Sequence, residues 1–286
     1  MRTACFQMDV AFGDPDANAR RVSDRIAEAA SMGVSLAVFP EAVLTGYCVE
    51  ACEAAQAVAL QVREGPGHEV VSAPEPVLAV RDACERHGVH AVFGFAGRDD
   101  AQLYNGAILA EPDGGMRLFR KVHLPELGLD KFVAPGNDLP VFETALGRIG
   151  ILVCFDLRVP EAARVLALRG ADLIVLPTNW PEGADFAADF MAPVRAAENK
   201  VFLAACNRVG EEGGFRFIGK SGIYGVGGQT LAKAGDGEET ILADLDLSLA
   251  RNKRNVVIPG RYESTVFSCR RPDLYGPIVG GNGDGF

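Results

Sequence analysis

Strand and helix signals alternate along the whole 286-residue chain, and this alternation limits the possible folds more than any other feature. Its short apolar runs are rich in β-branched residues and need cover on their faces, which the amphipathic stretches between them can supply. After a first strand, Asp14-Pro15-Asp16 announces a helix that runs to about Ser31 and stops at Gly33. Ser35–Phe39 reads as a strand, Pro74–His87 as a helix closed by Gly88, and His90–Phe95 as a strand. Tyr104–Ala110 and Met116–Val122 read as two strands joined by the turn Pro112-Asp-Gly-Gly115. Ile149–Cys154 is a buried strand, Pro160–Arg169 a helix, Ala171–Leu176 a strand, Ala184–Asn199 a helix and Val201–Cys206 a strand. A β pair over Ser221–Ala234, a strand Thr240–Leu245 and a short helix near Asp246 complete the pattern. Helix after strand, twice over with hairpins between, predicts an α/β sandwich whose sheets carry helices on their outer faces. No boundary is visible before the Gly-rich stretch from Val279, so one domain over 1–278 is expected, followed by a 279–286 tail ordered only by a partner.

Composition narrows the function. A formal charge of −10 argues against nucleic acid and anionic membrane, both of which require clustered Lys and Arg. Seven cysteines, an odd number with no CxxC pair, indicate free thiols and a reducing compartment. Cys48 and Cys52 are four apart, but the four histidines are distant, so no zinc site is expected. With neither a secretory pattern after Met1 nor an apolar run long enough to span a bilayer, a cytoplasmic location is expected.

Three reactive residues stand at or after strand signals: Glu41 after Leu-Ala-Val-Phe-Pro, Lys121 within Leu-Phe-Arg-Lys-Val, and Cys154 at the end of Ile-Gly-Ile-Leu-Val-Cys. Each has an ordinary structural explanation: packing for the cysteine, a turn cap for the glutamate, an exposed strand face for the lysine. Together they supply a nucleophile, a base and an oxyanion partner, the parts that acyl transfer needs. A thiol just before a helix start also faces unpaired N–H groups, which favour thiolate. Two other chemistries have sequence support. His123 or His90 could serve as base in a Cys–His hydrolase, although packing suits His123 better. Gly214–Ser221 fits GxxxxGK[ST], but its bulky alternating residues and the glycines after it do not make a phosphate loop running into a helix.

Phe39-Pro-Glu41 with Thr45-Gly-Tyr47, Arg120-Lys121-Val-His-Leu124, and Cys154-Phe-Asp156 with Pro160-Glu161 resemble, in that order, the three signature segments of the nitrilase (carbon–nitrogen hydrolase) superfamily. Further matches lie at Pro177–Trp180, Arg195–Asn199, Asn207–Gly210 and Gly219–Ser221, so the resemblance runs from Thr3 to about Leu247.

The resemblance implies a four-layer αββα sandwich and a catalytic Glu41, Lys121 and Cys154, with Phe155 contributing a backbone N–H to the oxyanion site. It implies a fourth, acidic group after the lysine. Asp130 is nearest to that position but a carbon shorter than the family's glutamate, and Glu126 has the right chemistry at a less fitting place. Cys-Phe-Asp resembles the amidase and carbamoylase members, whereas true nitrilases tend to Cys-Trp-Glu. The implied substrate is therefore a small amide or N-carbamoyl compound, with a nitrile as the alternative. Asn179 and Trp180 are expected to line the pocket, and loops 48–72 and 181–190 to shape it. No metal or organic cofactor is implied, and the family's habit implies a homodimer or larger homo-oligomer.

Overall fold

The computed structural model describes residues 1–280. Two compact units divide the chain, Met1–Arg251 and a second beginning at Asn252.

Two mixed sheets make up the first unit, and each has three parallel strands at its centre. The first runs, in spatial order, Glu239–Asp244, Arg2–Gln7, Leu36–Val38, His90–Arg98, Leu103–Ala110 and Met116–Arg120, with Leu60–Gln61 pairing to one end of His90–Arg98. Arg2–Gln7, Leu36–Val38 and His90–Arg98 are its parallel core. The second runs Thr230–Lys233, Gly222–Tyr224, Phe202–Asn207, Leu173–Thr178, Gly147–Ile151 and Val141–Thr144. Its parallel core is Gly147–Ile151, Leu173–Thr178 and Phe202–Asn207.

The inner faces of the sheets meet in one apolar layer, where Leu36, Val38 and Val92 share a cluster with Ile149, Ile151 and Val175. Each such side chain contributes about 1.5–3 kcal/mol when fully buried. On the other face of the first sheet lie the helices Pro15–Ser31 and Glu75–His87, which bury Val22 and Ile26 from one and Val77 and Val80 from the other. The helices Pro160–Leu168 and Ala192–Asn199 bury Ala163, Leu166 and Ala196 beside the second sheet. The result is the four-layer αββα sandwich.

Local chemistry sets the element ends. Asp14 caps the first helix by accepting the Ala17 N–H at 3.0 Å, and Gly88, at φ +69°, ends the helix Glu75–His87. Three elements differ from expectation in ways that matter for the site. Met116–Arg120 ends before Lys121, so the lysine stands just beyond the strand. The strand before Cys154 ends at Ile151, and a 3-10 turn starts at the cysteine itself. The helix expected from Ala184 is π-wound over Ala187–Met191 before becoming regular at Ala192. Within the expected loop 48–72 there is a helix, Cys52–Val58, and a short strand pair.

The sequence carries no sign of the division at Arg251, which falls inside the domain expected over 1–278. From Asn252 the chain forms a hairpin of Asn255–Ile258 with Tyr262–Ser264, a 3-10 turn and the short helix Gly276–Val279. Its Val257, Tyr262 and Leu274 are exposed. Of the expected 279–286 tail, residues 281–286 lie outside the described residues.

Candidate active site

Glu41, Lys121 and Cys154 come to one place because three chain segments leave the two sheets at adjoining points. Glu41 lies in the turn after Leu36–Val38, Lys121 directly after Met116–Arg120, and Cys154 three residues after Gly147–Ile151. Glu41 and Lys121 are fully buried. Lys121 Nζ donates to Glu41 Oε1 at 2.8 Å and to Asp130 Oδ2 at 2.6 Å. Asn105, from the strand Leu103–Ala110, bridges the same carboxylates, with Nδ2 2.8 Å from Glu41 Oε1 and 2.9 Å from Asp130 Oδ1. The Tyr47 hydroxyl donates to Asp130 Oδ2 at 2.8 Å, and its oxygen lies 2.9 Å from the Leu127 carbonyl, which shares that single proton. Asp130 is therefore the acidic residue brought to the cluster, and Glu126 is exposed.

These contacts leave Glu41 asymmetric. Oε1 is held by two donors, while Oε2 is buried with no hydrogen-bond partner. Burial raises the Glu41 pKa; Lys121 opposes the rise and Asp130 adds to it. For Lys121, burial alone would lower the pKa, but Glu41 and Asp130 hold it above its usual value, so the ammonium stays charged.

Cys154 has φ +46°, a left-handed conformation that costs a non-glycine residue energy and persists only where the surroundings enforce it. Asp156 helps to enforce it. Its buried carboxylate accepts the Val153 N–H at 3.0 Å through Oδ2, and through Oδ1 the His123 N–H at 2.8 Å. This ties the cysteine turn to the segment that carries Lys121. His123 Nδ1 also lies 2.8 Å from Asp156 Oδ1, and Arg195 Nε donates to the Leu157 carbonyl at 3.1 Å.

The electrostatic expectation for the thiol needs correction. Burial pushes Cys154 up to about 12, and Glu41 adds to the rise; Lys121, the Thr178 hydroxyl and the Asn179 N–H pull the other way without overcoming it. A short 3-10 turn does not offset the desolvation of a thiolate that also faces the Glu41 carboxylate, so the resting group is a thiol.

Beside it opens a cavity of about 320 Å³, bounded by Tyr47, Cys154, Phe155, Arg158, Asn179 and Trp180, with loop 181–184 at its edge. Of the two loops expected to shape it, 181–190 contributes directly, and loop 48–72 is not part of its wall. Asn105, Tyr47, Asp156 and Thr178 complete the site without having been assigned roles from sequence. Asn105 had a visible signal, a lone polar residue in the apolar run Leu103–Ala110.

The rival motifs find other places. His123 is engaged by Asp156, and His90 sits at the start of its strand, 4.0 Å from Glu111. In the phosphate-loop match, Lys220 is paired with Asp185 at 2.7 Å and Asp189 at 3.1 Å, Ser221 is bonded to Gln7 and Asn207, and a strand rather than a helix follows. All seven cysteines are free thiols. Among the described residues, no group of three or more His, Cys, Asp or Glu side chains could hold a metal ion, and no helix is long and apolar enough to cross a membrane.

A nitrilase-type sandwich enclosing a buried carboxylate and ammonium, with a thiol beside them at the cavity wall, belongs to a defined class of enzyme. The chain is a member of the carbon–nitrogen hydrolase family, whose model matches residues 2–255. It is 37% identical over 278 residues to a protein of Pyrococcus abyssi (strain GE5 / Orsay) named nitrilase, covering 96% of this chain and 99% of that one. It is 32% identical over 246 residues to an (R)-stereoselective amidase of Pseudomonas sp., covering 85% and 84%. Among solved structures it resembles a mutant of the amidase from Nesterenkonia sp. AN1, with a TM-score of 0.73 and 27% identity over 88% of this chain and 96% of the other. That structure is described as the result of Michael addition of acrylamide at the active site cysteine.

Proposed function

We propose that this enzyme hydrolyses the C–N bond of a small amide or N-carbamoyl compound through a thioester on Cys154. The observation that carries the reading is the unpaired, buried Oε2 of Glu41, beside a carboxylate oxygen already saturated by Lys121 and Asn105. Such an oxygen is an acceptor waiting for a proton, and burial, which raises the pKa of Glu41, makes it a stronger base than a solvated glutamate.

As Cys154 Sγ attacks the acyl carbon, Glu41 takes the thiol proton. Lys121 Nζ and the Phe155 N–H hold the oxygen that becomes negative; one such donor contributes about 3 kcal/mol. Glu41 then passes its proton to the nitrogen, the C–N bond breaks, and ammonia or an amine leaves a thioester. Water attacks the thioester while giving a proton to Glu41, and the acid departs as that proton returns to sulfur. Asp130 keeps Lys121 charged and fixed in place. Asn179 and Trp180 take up the substrate beside the cysteine.

Phe155-Asp156 after the nucleophile and the amidase relatives support an amide or carbamoyl substrate, while the name of the Pyrococcus relative keeps a nitrile as the second reading. The seven free thiols support a reducing, cytoplasmic setting. The exposed Phe186, Phe190 and Val194, four residues apart along one helical stretch, support a homodimer or larger assembly. A panel of amides, N-carbamoyl compounds and nitriles assayed by ammonia release tests the reading. Turnover of amides or carbamoyl compounds that is lost in Cys154→Ala is expected; activity surviving in that variant, or confined to nitriles, would overturn it.

A further inference from the structure

Buried polar atoms without partners are uncommon, and each calls for a cause. Three gather around Cys154: Glu41 Oε2 and both Oδ1 and Nδ2 of Asn179 have no hydrogen-bonded partner. The first is accounted for as the proton acceptor. Asn179 is not yet explained. It directly follows the strand Leu173–Thr178, is 2% exposed, and borders the cavity that Cys154 borders. Turning its carboxamide through half a rotation would help neither end, since both are unpaired. If the position were needed only for packing, a leucine would fill it at less cost. The unpaired carboxamide is therefore suited to something that enters the cavity.

We propose that Asn179 selects a carboxamide over a nitrile by pairing with it head to head. A primary carboxamide, including the ureido end of an N-carbamoyl compound, presents an N–H and a C=O side by side, as Asn179 does. Asn179 Oδ1 accepts the substrate N–H and Nδ2 donates to the substrate oxygen. A nitrile has no N–H, so it leaves Oδ1 buried and unpaired. Sites built to pair with a substrate N–H discriminate against analogues that lack it, because the protein group is then stranded. The inference rests on the reading of Cys154 as the nucleophile and adds the basis of its substrate choice.

The test compares butyramide with butyronitrile in Asn179→Leu, which is similar in size and has no polar atom. The amide-to-nitrile ratio of kcat/KM should fall about tenfold or more, through loss on the amide side. A ratio within about twofold of the wild type, with both substrates slowed alike, would mean that Asn179 only supports the fold, and would overturn the proposal. Asn179→Ala serves the same comparison if the leucine variant does not fold. Calorimetry in a Cys154→Ala background gives an arm free of turnover: adding Asn179→Leu should weaken butyramide without weakening butyronitrile, and equal weakening would overturn the proposal. A wild-type enzyme that prefers butyronitrile defeats the amidase reading instead, while the change in ratio on substitution still judges Asn179.

Discussion

In the proposed mechanism, Glu41 illustrates how burial suits an ordinary carboxylate to act as base. Because its pKa in the folded protein is raised by burial above the usual 4.5, the carboxylate is protonated, and unable to accept the thiol proton, at a higher pH than a solvated glutamate would be. The acid limb of kcat/KM is accordingly expected above pH 4.5, and a limb at or below that value would contradict this assignment. Glu41→Gln should lower kcat by about 10²–10⁴-fold. At this scale the sequence was informative about the side chains proposed to react and silent about those that hold them. Glu41, Lys121 and Cys154 stood out as polar groups at strand ends. The bonds of Asn105 and Tyr47 to Asp130 join residues 25 and 83 positions apart, and no local pattern encodes such pairings. The upward push on the Cys154 thiol was also hidden, since a run of letters shows a helix start but neither the desolvation of the sulfur nor the Glu41 carboxylate near it.

Among elements, the ends of strands do most to place the site, and they were the least legible part of the fold. The alternation of strands and helices was plain because apolar periodicity survives in the sequence. The stop at Ile151 and the turn at Cys154 were not, because the carboxylate that draws in the Val153 N–H belongs to Asp156 and also reaches across to His123. The strand His90–Arg98 contributes through a residue it lacks space for. A Cβ at Gly94 would lie 2.4 Å from the Ala42 nitrogen and 2.8 Å from the Glu41 Cα. Gly94→Ala should therefore displace the glutamate and reduce kcat by about 10²-fold, as an ångström of misplacement does elsewhere. Overpacking would cost about 1–3 kcal/mol of stability as well. Wild-type turnover in that variant would show that the turn bearing Glu41 is not held by this strand.

Across the molecule, the first unit is stitched together by groups far apart in sequence. Arg208 is fully buried and joins Asp9, at 2.8 Å, to Glu212, at 2.7 Å. Glu212 Oε1 in turn accepts the N–H groups of Tyr47 and Cys48. Arg208→Met would leave Glu212 buried without its cation, a change expected to cost about 3–5 kcal/mol in urea denaturation; a loss below about 1 kcal/mol would show that the pair is replaceable. The division of the site between sheets has a consequence for the life of the chain. With the proposed roles, the base and the cation belong to one sheet and the nucleophile to the other. A nascent chain on the ribosome thus carries no hydrolytic chemistry until both sheets have emerged and met, and turnover regained on refolding times their docking rather than the formation of either.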